Sequence, residues 1–373
     1  MSRHRQQGWP WLVQLPLIVV AISAALFAVV LRAVGGPGGA SVPQLAPGVQ
    51  PAVTFLNDFV TSDGRVIRHD QGGDIVSEGE AYAMVLAEIA NRPASVRLIW
   101  HWTRLHLQRP DGLLSYHAAG DGRVLDPQSA ADADTLAAYA LLRYHGPDAA
   151  GLHRDGVRLA AAVLAHETVT MGGRLLLVAG PWATASPPTV DPSYLMPPVF
   201  RAIAVGTGDA RWVRLADDSV RLMRQLTNGG SRLPPDWARF ANGSLTASPS
   251  PSGGGPPSYG ADAARAPVWF AVDCDSQSRK LAASWWSLLR PNDDALTLSL
   301  DGHVVNGSHA PLSLVAAAAA ARAAGEPTTA ASLVRAAIRQ AQATTTYYGD
   351  AWAAFGAALQ WRAWRVDACG TAS

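Results

Sequence analysis

Three stretches of the sequence place an acidic side chain at the start of an apolar run. Glu78 stands in the segment SEGEAYAM (77–84), Asp132 precedes an alanine- and leucine-rich run at 136–142, and Asp262 lies between two aromatic residues at 259 and 269. Two carboxyl groups that face one cleft can hydrolyse a glycosidic bond, because one protonates the leaving oxygen while the other activates water. Aromatic rings beside them would stack on sugar faces. These residue types therefore indicate glycoside hydrolysis, provided that the fold brings the acids together.

Each of these acids also has a purely structural interpretation. Asp and Glu are favoured at helix N-termini, where they cap free N–H groups and interact with the helix dipole. Ser77 followed by Glu78 and Glu80 is typical of such a cap. The catalytic interpretation requires more, namely that several helix N-termini on one rim of a helical ring converge on a cleft. The residues alone leave both interpretations open.

Other chemistries lack their motifs in this sequence. It contains no nucleophile elbow, phosphate loop, HExxH motif or dinucleotide fingerprint, and its ten His include no i, i+4 pair, so we expect no metal site and no cofactor. Because 30 Lys and Arg stand against 29 Asp and Glu, the net charge of +1 gives no electrostatic footprint for nucleic acid. Two cysteines, Cys274 and Cys369, are too few for a scaffold of several disulfides, and whether they pair stays open.

Helical periodicity dominates the chain from residue 51 onward, with little strand alternation. This pattern predicts an all-α single domain of consecutive antiparallel hairpins, and the lack of a recurring repeat favours a closed ring over an open solenoid. A Ser-, Pro- and Gly-rich stretch at 242–259 predicts a surface loop. The predicted helices cover residues 51–60, 78–91, 95–107, 132–145, 154–166, 194–206, 209–226, 262–272, 276–289, 311–324, 328–343 and 350–364.

The N-terminal segment is typical of a membrane anchor. Residues 11–33 are apolar and uncharged up to Arg32, long enough to span a bilayer, and the preceding residues 1–10 carry positive charge that is expected to stay cytoplasmic. Residues 34–50 form an uncharged Gly/Pro-rich linker. We therefore expect an extracytoplasmic catalytic domain at 51–366 followed by a short tail at 367–373. Cleavage as a signal peptide near residues 33–35, which would give a secreted protein, is the alternative.

Four motifs occur in order along the chain. They are GRV (64–66) with SEGEAYAM (77–84), AADAD (130–134), DPSYLMPP (191–198) with PDW (235–237), and YGADAARAP (259–267). Together they resemble the GRV, SEGQxYGM, A-[ST]-D-[AG]-D, NPSYLPP and YDAIRVP segments of glycoside hydrolase family 8. The resemblance covers about residues 52–365 and is closest to the bacterial cellulases associated with cellulose synthesis. It implies an (α/α)6 toroid of six helical hairpins and an inverting endo-β-1,4-glucanase activity.

The resemblance also implies a role for individual residues. Glu78 matches the general acid, Asp262 the general base of the cellulase-like subgroup, and Asp132 the residue that grips the sugar at the cleavage point. Arg265, one helical turn after Asp262, would keep that aspartate ionised. The mechanism requires no metal or cofactor. Candidate sugar-stacking rings, each with core packing as an alternative, are Tyr82, Tyr116, Tyr194, Trp237 and Trp182, whereas seven tryptophans in helix interiors (100, 102, 285, 286, 352, 361 and 364) are assigned to packing.

Several positions depart from the family pattern. Ala131 replaces Ser or Thr before Asp132, Ala83 replaces Gly, and position 116 is Tyr where these cellulases often carry Trp. Glu80 replaces Gln and places a second potential charge near the acid. Residues 260–261 separate the tyrosine of the fourth motif from its aspartate. None of these departures removes a proposed catalytic carboxylate.

The sequence therefore predicts a membrane-anchored β-glucanase that acts on cellulose or a related polysaccharide. The anchor favours the editing of nascent exopolysaccharide beside a synthase complex. Two alternatives stay open: a family 8 enzyme for chitosan, xylan or mixed-linkage glucan, and a helical ring that binds glycan without cleaving it.

Overall fold

A computed structural model describes residues 45–366, and within that range the fold is dominated by twelve helices. All twelve predicted helices are present. The largest differences are that the fifth begins at Ala149 rather than 154, that the eighth begins at Ala266 rather than 262, and that the last covers Tyr347–Gln360 rather than 350–364. The helices are α1 (Gln50–Phe59), α2 (Ser77–Ile89), α3 (Pro93–His106), α4 (Ala131–Arg143), α5 (Ala149–His166), α6 (Pro197–Thr207), α7 (Ala210–Leu226), α8 (Ala266–Val272), α9 (Ser276–Leu289), α10 (Pro311–Ala323), α11 (Pro327–Ala343) and α12 (Tyr347–Gln360).

The helices alternate between an inner and an outer ring. The even-numbered helices are inner; each contacts the next, and α12 contacts both α1 and α2, so that the circle closes. Six consecutive hairpins joined in this way form the (α/α)6 toroid that the family resemblance implied. The closed ring places the N-termini of all inner helices on the same rim.

Helix composition explains which helices lie inside. In α2, 11 of 13 residues are buried, and apart from Ser77 and three glutamates the residues of this helix are small, apolar or aromatic. By contrast, α7 turns Trp212, Leu215 and Met223 inward and exposes arginines on its other face. Inner helices approach closely where side chains are small: a Cβ at Gly356 of α12 would lie 2.7 Å from Val315 of α10.

Eight short strands lie in the long connections that lead into the inner helices. They form three antiparallel sheets in the orders β1-β2-β3, β4-β5 and β6-β7-β8, so these connections build up the rim where the inner helices begin. At the opposite rim the connections are short. The strands are β1 (Ile75–Val76), β2 (His117–Ala118), β3 (Val124–Asp126), β4 (Thr168–Met171), β5 (Arg174–Leu177), β6 (Thr189–Val190), β7 (Ala238–Ala241) and β8 (Ser244–Ala247).

The stretch 242–259 was predicted to be a surface loop, but only part of it is one. Its first residues, Asn242 (φ 53°) and Gly243 (φ 79°), form the tight turn between β7 and β8. Both central residues have positive φ, which is the geometry of the type I′ turn that Asn-Gly favours. Only the later part, 251–256, is a continuously exposed segment.

Several predictions concern residues outside 45–366. The anchor at 11–33, most of the linker at 34–50, and the tail at 367–373 with Cys369 all fall there, so whether Cys274 pairs with Cys369 stays open. Among the helices of residues 45–366, none has the length and apolar character needed to cross a membrane.

Candidate active site

The rim where the inner helices begin carries the acidic side chains. Glu78 lies in the first turn of α2, Asp132 lies in the first turn of α4, and Asp262 lies in the turn that leads into α8. All three carboxylates contact Arg265, although they are up to 187 residues away in the chain. The predicted convergence of helix N-termini on one site is therefore present.

Helix capping does not explain these acids. The residues that precede α2 and α4 are Val76 and Ala130, and within the described range neither helix has a side-chain cap. Asp262 precedes a short 3-10 turn and likewise caps no N–H group with its side chain. The predicted cap at Ser77 is wrong, because Ser77 is itself the first residue of α2 and is fully buried.

The guanidinium of Arg265 organises the site. This residue is 3% exposed, and Nη1 donates to Glu78 Oε2 at 3.1 Å and to Asp132 Oδ2 at 2.8 Å. Nη2 donates to Asp191 Oδ2 at 3.1 Å and to Asp262 Oδ1 at 3.0 Å. Burial by itself would lower the pKa of Arg265, but the nearby hydroxyls of Tyr348 and Tyr82, followed by the carboxylates of Asp191 and Asp262, prevail and hold that pKa well above its usual value. The planar fork of arginine can join four carboxylates in this way, whereas the compact ammonium of lysine cannot.

Glu78 has the protonation behaviour of a general acid. Burial is the largest influence on its pKa and repulsion from Asp132 acts in the same direction, while Arg265 and Tyr347 oppose them; the resulting pKa is about 7. A carboxyl group with this pKa keeps its proton in a large share of molecules at neutral pH. Its side chain is 17% exposed, so a bound substrate can still reach it.

Tyr347 is the direct hydrogen-bond donor to the second oxygen of this acid. Its hydroxyl donates to Glu78 Oε1 at 2.9 Å, and its backbone N–H donates to Asp70 Oδ1 at 3.0 Å. Gly79 makes room for the ring, since a Cβ there would lie 3.2 Å from the Tyr347 hydroxyl. Sequence reasoning missed Tyr347, because no local signal connects it to a residue 269 positions earlier.

Asp262 lies on a loop rather than in a helix, and it is the most exposed of the four carboxylates at Arg265, with 39% of its side chain accessible. Asp236 fixes this loop, because its Oδ1 accepts the N–H groups of Gly260 at 2.9 Å and Ala263 at 2.8 Å. A Cβ at Gly260 would lie 2.4 Å from Asp236 Oδ2, so the glycine that departs from the family pattern is required here. Burial, followed by repulsion from Asp262, raises the pKa of Asp236 to about 6.

Two further aspartates complete the set at Arg265. Asp132 is buried, its Oδ1 accepts the N–H of Ala133 at 2.9 Å, and burial raises its pKa. Asp191 is 1% exposed, and its Oδ1 accepts both the N–H of Ser193 at 2.8 Å and the hydroxyl of Ser193 at 2.7 Å. Asp191 is the first residue of the third sequence motif, and no role was predicted for it. The Asp-Pro-Ser order, typical of an Asp that caps a short turn, was a signal for its buried position.

Glu80 does not place a second charge beside the acid at neutral pH. It is fully buried, and its carboxyl accepts the N–H of Val66 at 2.9 Å and the hydroxyl of Thr103 at 3.3 Å. Burial raises its pKa to about 8 despite these hydrogen bonds. Glu80 is therefore mostly neutral near pH 7, like the Gln that it replaces.

Three aromatic rings are accessible in the long connections of the rim. Tyr116 is 39% exposed, Trp182 is 41% exposed and Trp237 is half-buried. The rings of Trp182 and Trp237 lie 6.4 Å apart, and the Trp182 indole donates to Ser129 O at 3.3 Å. These rings have the exposure that stacking on a sugar requires.

Two other predicted stacking rings are placed differently. Tyr82 is 1% exposed and packs edge-on against Trp352 and Phe355, so it is a core residue and its prediction as a sugar platform is wrong. Tyr194 is half-buried over Arg265, with 5.2 Å from the guanidinium carbon to the ring centroid, and stabilises that cation through its ring face. The packing assignment of these tryptophans is confirmed, since six of the seven are buried and Trp361 is partly buried. Trp361 and Trp364 follow α12, however, and were wrongly placed inside a helix.

No cluster of three or more His, Cys, Asp or Glu side chains within residues 45–366 has the arrangement of a metal site. What the site offers is acid–base chemistry: a buried acid, a more exposed carboxylate, and a fixed cation between them. Exposed aromatic rings border it.

Comparison with known proteins agrees with this geometry. The family model described as glycosyl hydrolases family 8 matches residues 52–361. A "Probable endoglucanase" from Novacetimonas hansenii is 32% identical over 226 residues, and an "Endoglucanase" from Cellulomonas uda is 32% identical over 236 residues. These matches cover 58% and 61% of this chain, and they span 64% of the length of each relative.

Solved structures share the same architecture. The endo-β-1,4-glucanase CMCax from Acetobacter xylinum superposes with a TM-score of 0.69 at 25% sequence identity, covering 85% of this chain and 99% of that one. A β-1,3-1,4-glucanase from Paenibacillus sp. X4 superposes with a TM-score of 0.75 at 19% identity, covering 86% and 94% of the two chains. The second match, at this low identity, concerns the fold alone.

Proposed function

The chain belongs to glycosyl hydrolases family 8, and from that premise we propose that it hydrolyses β-1,4-linked glucan internally, with inversion of the anomeric configuration. The observation that carries this proposal is the set of carboxylates at Arg265, in which a buried acid with a pKa of about 7 and a more exposed aspartate share one cation. The names of the relatives support β-glucan as the substrate.

In the proposed reaction Glu78 protonates the oxygen of the scissile bond as that bond breaks. A pKa of about 7 lets it hold the proton before the reaction and release it during the reaction. The Tyr347 hydroxyl on Oε1 and the Arg265 nitrogen on Oε2 then stabilise the carboxylate that forms. Both donors are in place before proton transfer, so little reorganisation is needed.

Asp262 is the proposed base that takes a proton from the attacking water. Inversion requires the water to lie between the base and the sugar, on the face opposite to the leaving group. The exposure of Asp262 provides access for that water, while Arg265 Nη2 and the loop held by Asp236 fix its carboxylate. Asp132, buried beside the acid, is the proposed contact to the sugar at the cleavage point.

We also propose that the chain acts at the cell membrane, with its catalytic domain outside and anchored by residues 11–33. This rests on the uncharged apolar segment and the positive residues before it. A tethered glucanase is suited to editing nascent exopolysaccharide beside a synthase complex. Release by signal cleavage is the competing outcome, and immunoblotting of membrane and medium fractions for the full-length chain distinguishes them.

The enzymatic proposal is tested with the full-length chain and its Glu78→Gln and Asp262→Asn variants. Reducing ends and the anomeric configuration of the products, by NMR, are followed on carboxymethylcellulose, cello-oligosaccharides, chitosan, xylan and mixed-linkage glucan. We expect inverted products from the β-1,4-glucans, lost in both variants. Glu80→Gln, two residues from the acid but outside the cleft, is the matched control and retains activity.

Each contrary outcome has a distinct meaning. Turnover that survives Asp262→Asn moves the base to another carboxylate. Preference for chitosan, xylan or mixed-linkage glucan replaces the substrate but keeps the mechanism. Tight oligosaccharide binding without any cleavage favours a helical ring that binds glycan only.

A further inference from the structure

Two buried acids next to the site have no part in the reaction proposed above. Asp134 lies two residues after Asp132 in α4, and Glu167 directly follows α5; both residues are 0% exposed. Within residues 45–366, Asp134 Oδ2 and Glu167 Oε2 have no hydrogen-bond partner. Because a buried carboxyl oxygen without a partner is costly, two of them in adjoining elements require an explanation.

The other oxygen of each acid holds a segment that borders the cleft. Asp134 Oδ1 accepts the N–H of Leu114 at 2.8 Å, and Glu167 Oε1 accepts the hydroxyl of Ser129 at 2.7 Å. The segment after Leu114 carries Tyr116, whose backbone oxygen accepts the N–H of Ser77 at 2.9 Å, next to the general acid.

The Ser129 segment adjoins the Tyr116 segment, because Gln128 O accepts the N–H of Tyr116 at 2.6 Å. It also contacts Trp182, whose indole N–H donates to the Ser129 carbonyl at 3.3 Å. Gly180 lets the chain pass close to this carbonyl, since a Cβ there would lie 2.5 Å from it. The two acids are thus bonded to two adjoining segments, one that carries Tyr116 and one that contacts Trp182.

Neighbouring charges do not neutralise the pair. Burial is the main influence that raises the pKa of both acids, to about 8 for Glu167, and repulsion from Glu167 is the next largest influence that raises the pKa of Asp134. The other charged groups that act on them are Asp132, Arg109 and Asp111. Arg109 is engaged by Asp111 in an ion pair of 2.7 Å.

We propose that Asp134 and Glu167 share one proton between their unpaired oxygens, and that the resulting pair is a positioning element that fixes the segment of Tyr116 and the Ser129 segment that contacts Trp182. A shared proton gives each unpaired oxygen a partner and removes one of two buried like charges. Only the kinetic part of this inference rests on the proposed function.

The first test does not depend on activity. Urea unfolding of the full-length chain is measured between pH 5 and 8 for the wild type, Asp134→Asn, Glu167→Gln and the double variant. One proton held by the folded state alone makes the unfolding equilibrium constant rise up to about tenfold per pH unit. A single variant leaves the other acid buried and able to keep the proton, so the double variant decides: we expect it to remove one such dependence, because the pair holds one proton.

Two results would overturn the shared proton. If the double variant removes about hundredfold per pH unit, the acids hold separate protons. If the double variant leaves the pH dependence unchanged, both acids are ionised. Glu80→Gln, which removes a buried acid at a separate place with a pKa of about 8, is the control whose effect should add to that of the double variant.

The second test concerns positioning. Asp134→Ala leaves Leu114 and Glu167 without a partner, and we expect kcat/KM to fall about tenfold or more. Asn keeps the acceptor for Leu114 and donates an N–H to Glu167, so Asp134→Asn should restore most of the loss. If Asp134→Asn lowers kcat/KM as much as Asp134→Ala does, the positioning role is refuted. If neither the wild type nor any variant cleaves glucan, the proposed function fails, while the unfolding test still decides whether the two acids share a proton.

Discussion

Replacing Tyr347 by Phe isolates one of the forces that set the proton affinity of Glu78. The hydroxyl donates to Glu78 Oε1 at 2.9 Å and lowers the pKa of this acid, against the larger effect of burial. Phe keeps the ring, which packs beside Phe55 and Phe59, and removes the donor alone. The carboxylate form of Glu78 then loses a hydrogen bond, so its pKa rises above about 7.

The size of this shift follows from the hydrogen bond. A hydrogen bond to a charged group contributes about 1.5–3 kcal/mol, and one pKa unit corresponds to about 1.4 kcal/mol, which gives a rise of about one to two units. Arg265 stays on the other oxygen, and the 17% exposure of the side chain lets water replace part of the bond. We therefore expect the lower value, about one unit.

The assay is the pH dependence of kcat/KM, which reports the free enzyme. A general acid works only while protonated, so a higher pKa moves the alkaline limb of the profile upward by about one pH unit. The pH dependence of stability should shift in the same direction. The pKa of Glu78 is about 7 in the folded state against 4.5 for an ordinary Glu, so the free energy of unfolding falls as pH rises between these values. In the variant this fall continues to higher pH.

The matched control is Tyr348→Phe, because the Tyr348 hydroxyl donates to Ala261 O at 3.2 Å and not to Glu78. Its alkaline limb should stay within a few tenths of a unit of the wild type. An unchanged or lowered limb in Tyr347→Phe would refute the assignment of Glu78 as the acid that Tyr347 tunes.

Three further substitutions test other parts of the site. Arg265→Lys keeps one charge but loses the fork that joins four carboxylates, so kcat should fall about 100-fold or more and Tm should drop in thermal unfolding. Gly260→Ala places a Cβ 2.4 Å from Asp236 Oδ2 and displaces the loop of Asp262; initial-rate assays should show a loss of at least about tenfold in kcat with little change in Tm. Glu80→Gln should retain activity and flatten the pH dependence of stability. The pKa of Glu80 is about 8 in the folded state and 4.5 ordinarily, so the wild type loses stability as pH rises between those values. Urea titrations of the variant should lack that loss.

Local patterns in the sequence predicted the parts of this fold that depend on local interactions. Helical periodicity and breakers located all twelve helices, because inner and outer helices alike need a buried face and six of them have Pro at one of their first two positions. The dipeptide Asn242-Gly243 is a usable signal for a hairpin, but the low-complexity composition of the stretch led to the prediction of a loop. The wrong assignment of Tyr82 has another cause: α2 is buried on nearly every side, so periodicity cannot distinguish the face toward the cleft from the face toward the core.

The site itself was predicted only where a motif marks it. Glu78, Asp132, Asp262 and Arg265 stand in such motifs, and the i, i+3 contact of Arg265 with Asp262 follows from spacing alone. The contacts of Arg265 with residues 74 to 187 positions away depend on ring closure, which no local pattern encodes. Tyr347 lies outside the four motifs, and its hydrogen bond to Glu78 depends on α12 closing the circle.

The different positions of the two proposed catalytic carboxylates follow from what each must do. Four carboxylates around one guanidinium would carry an excess of three negative charges if all were ionised, and burial disfavours such an excess. Glu78 and Asp132 lie in the first turns of inner helices, where burial raises the pKa of both, to about 7 for Glu78. Asp262 lies on a loop outside the helices, where 39% of its side chain meets solvent and where water for hydrolysis can bind. If both catalytic carboxyl groups lay in helical turns, both would be buried and the difference in exposure between acid and base would disappear. The loop held by Asp236 is therefore as necessary to the mechanism as the ring.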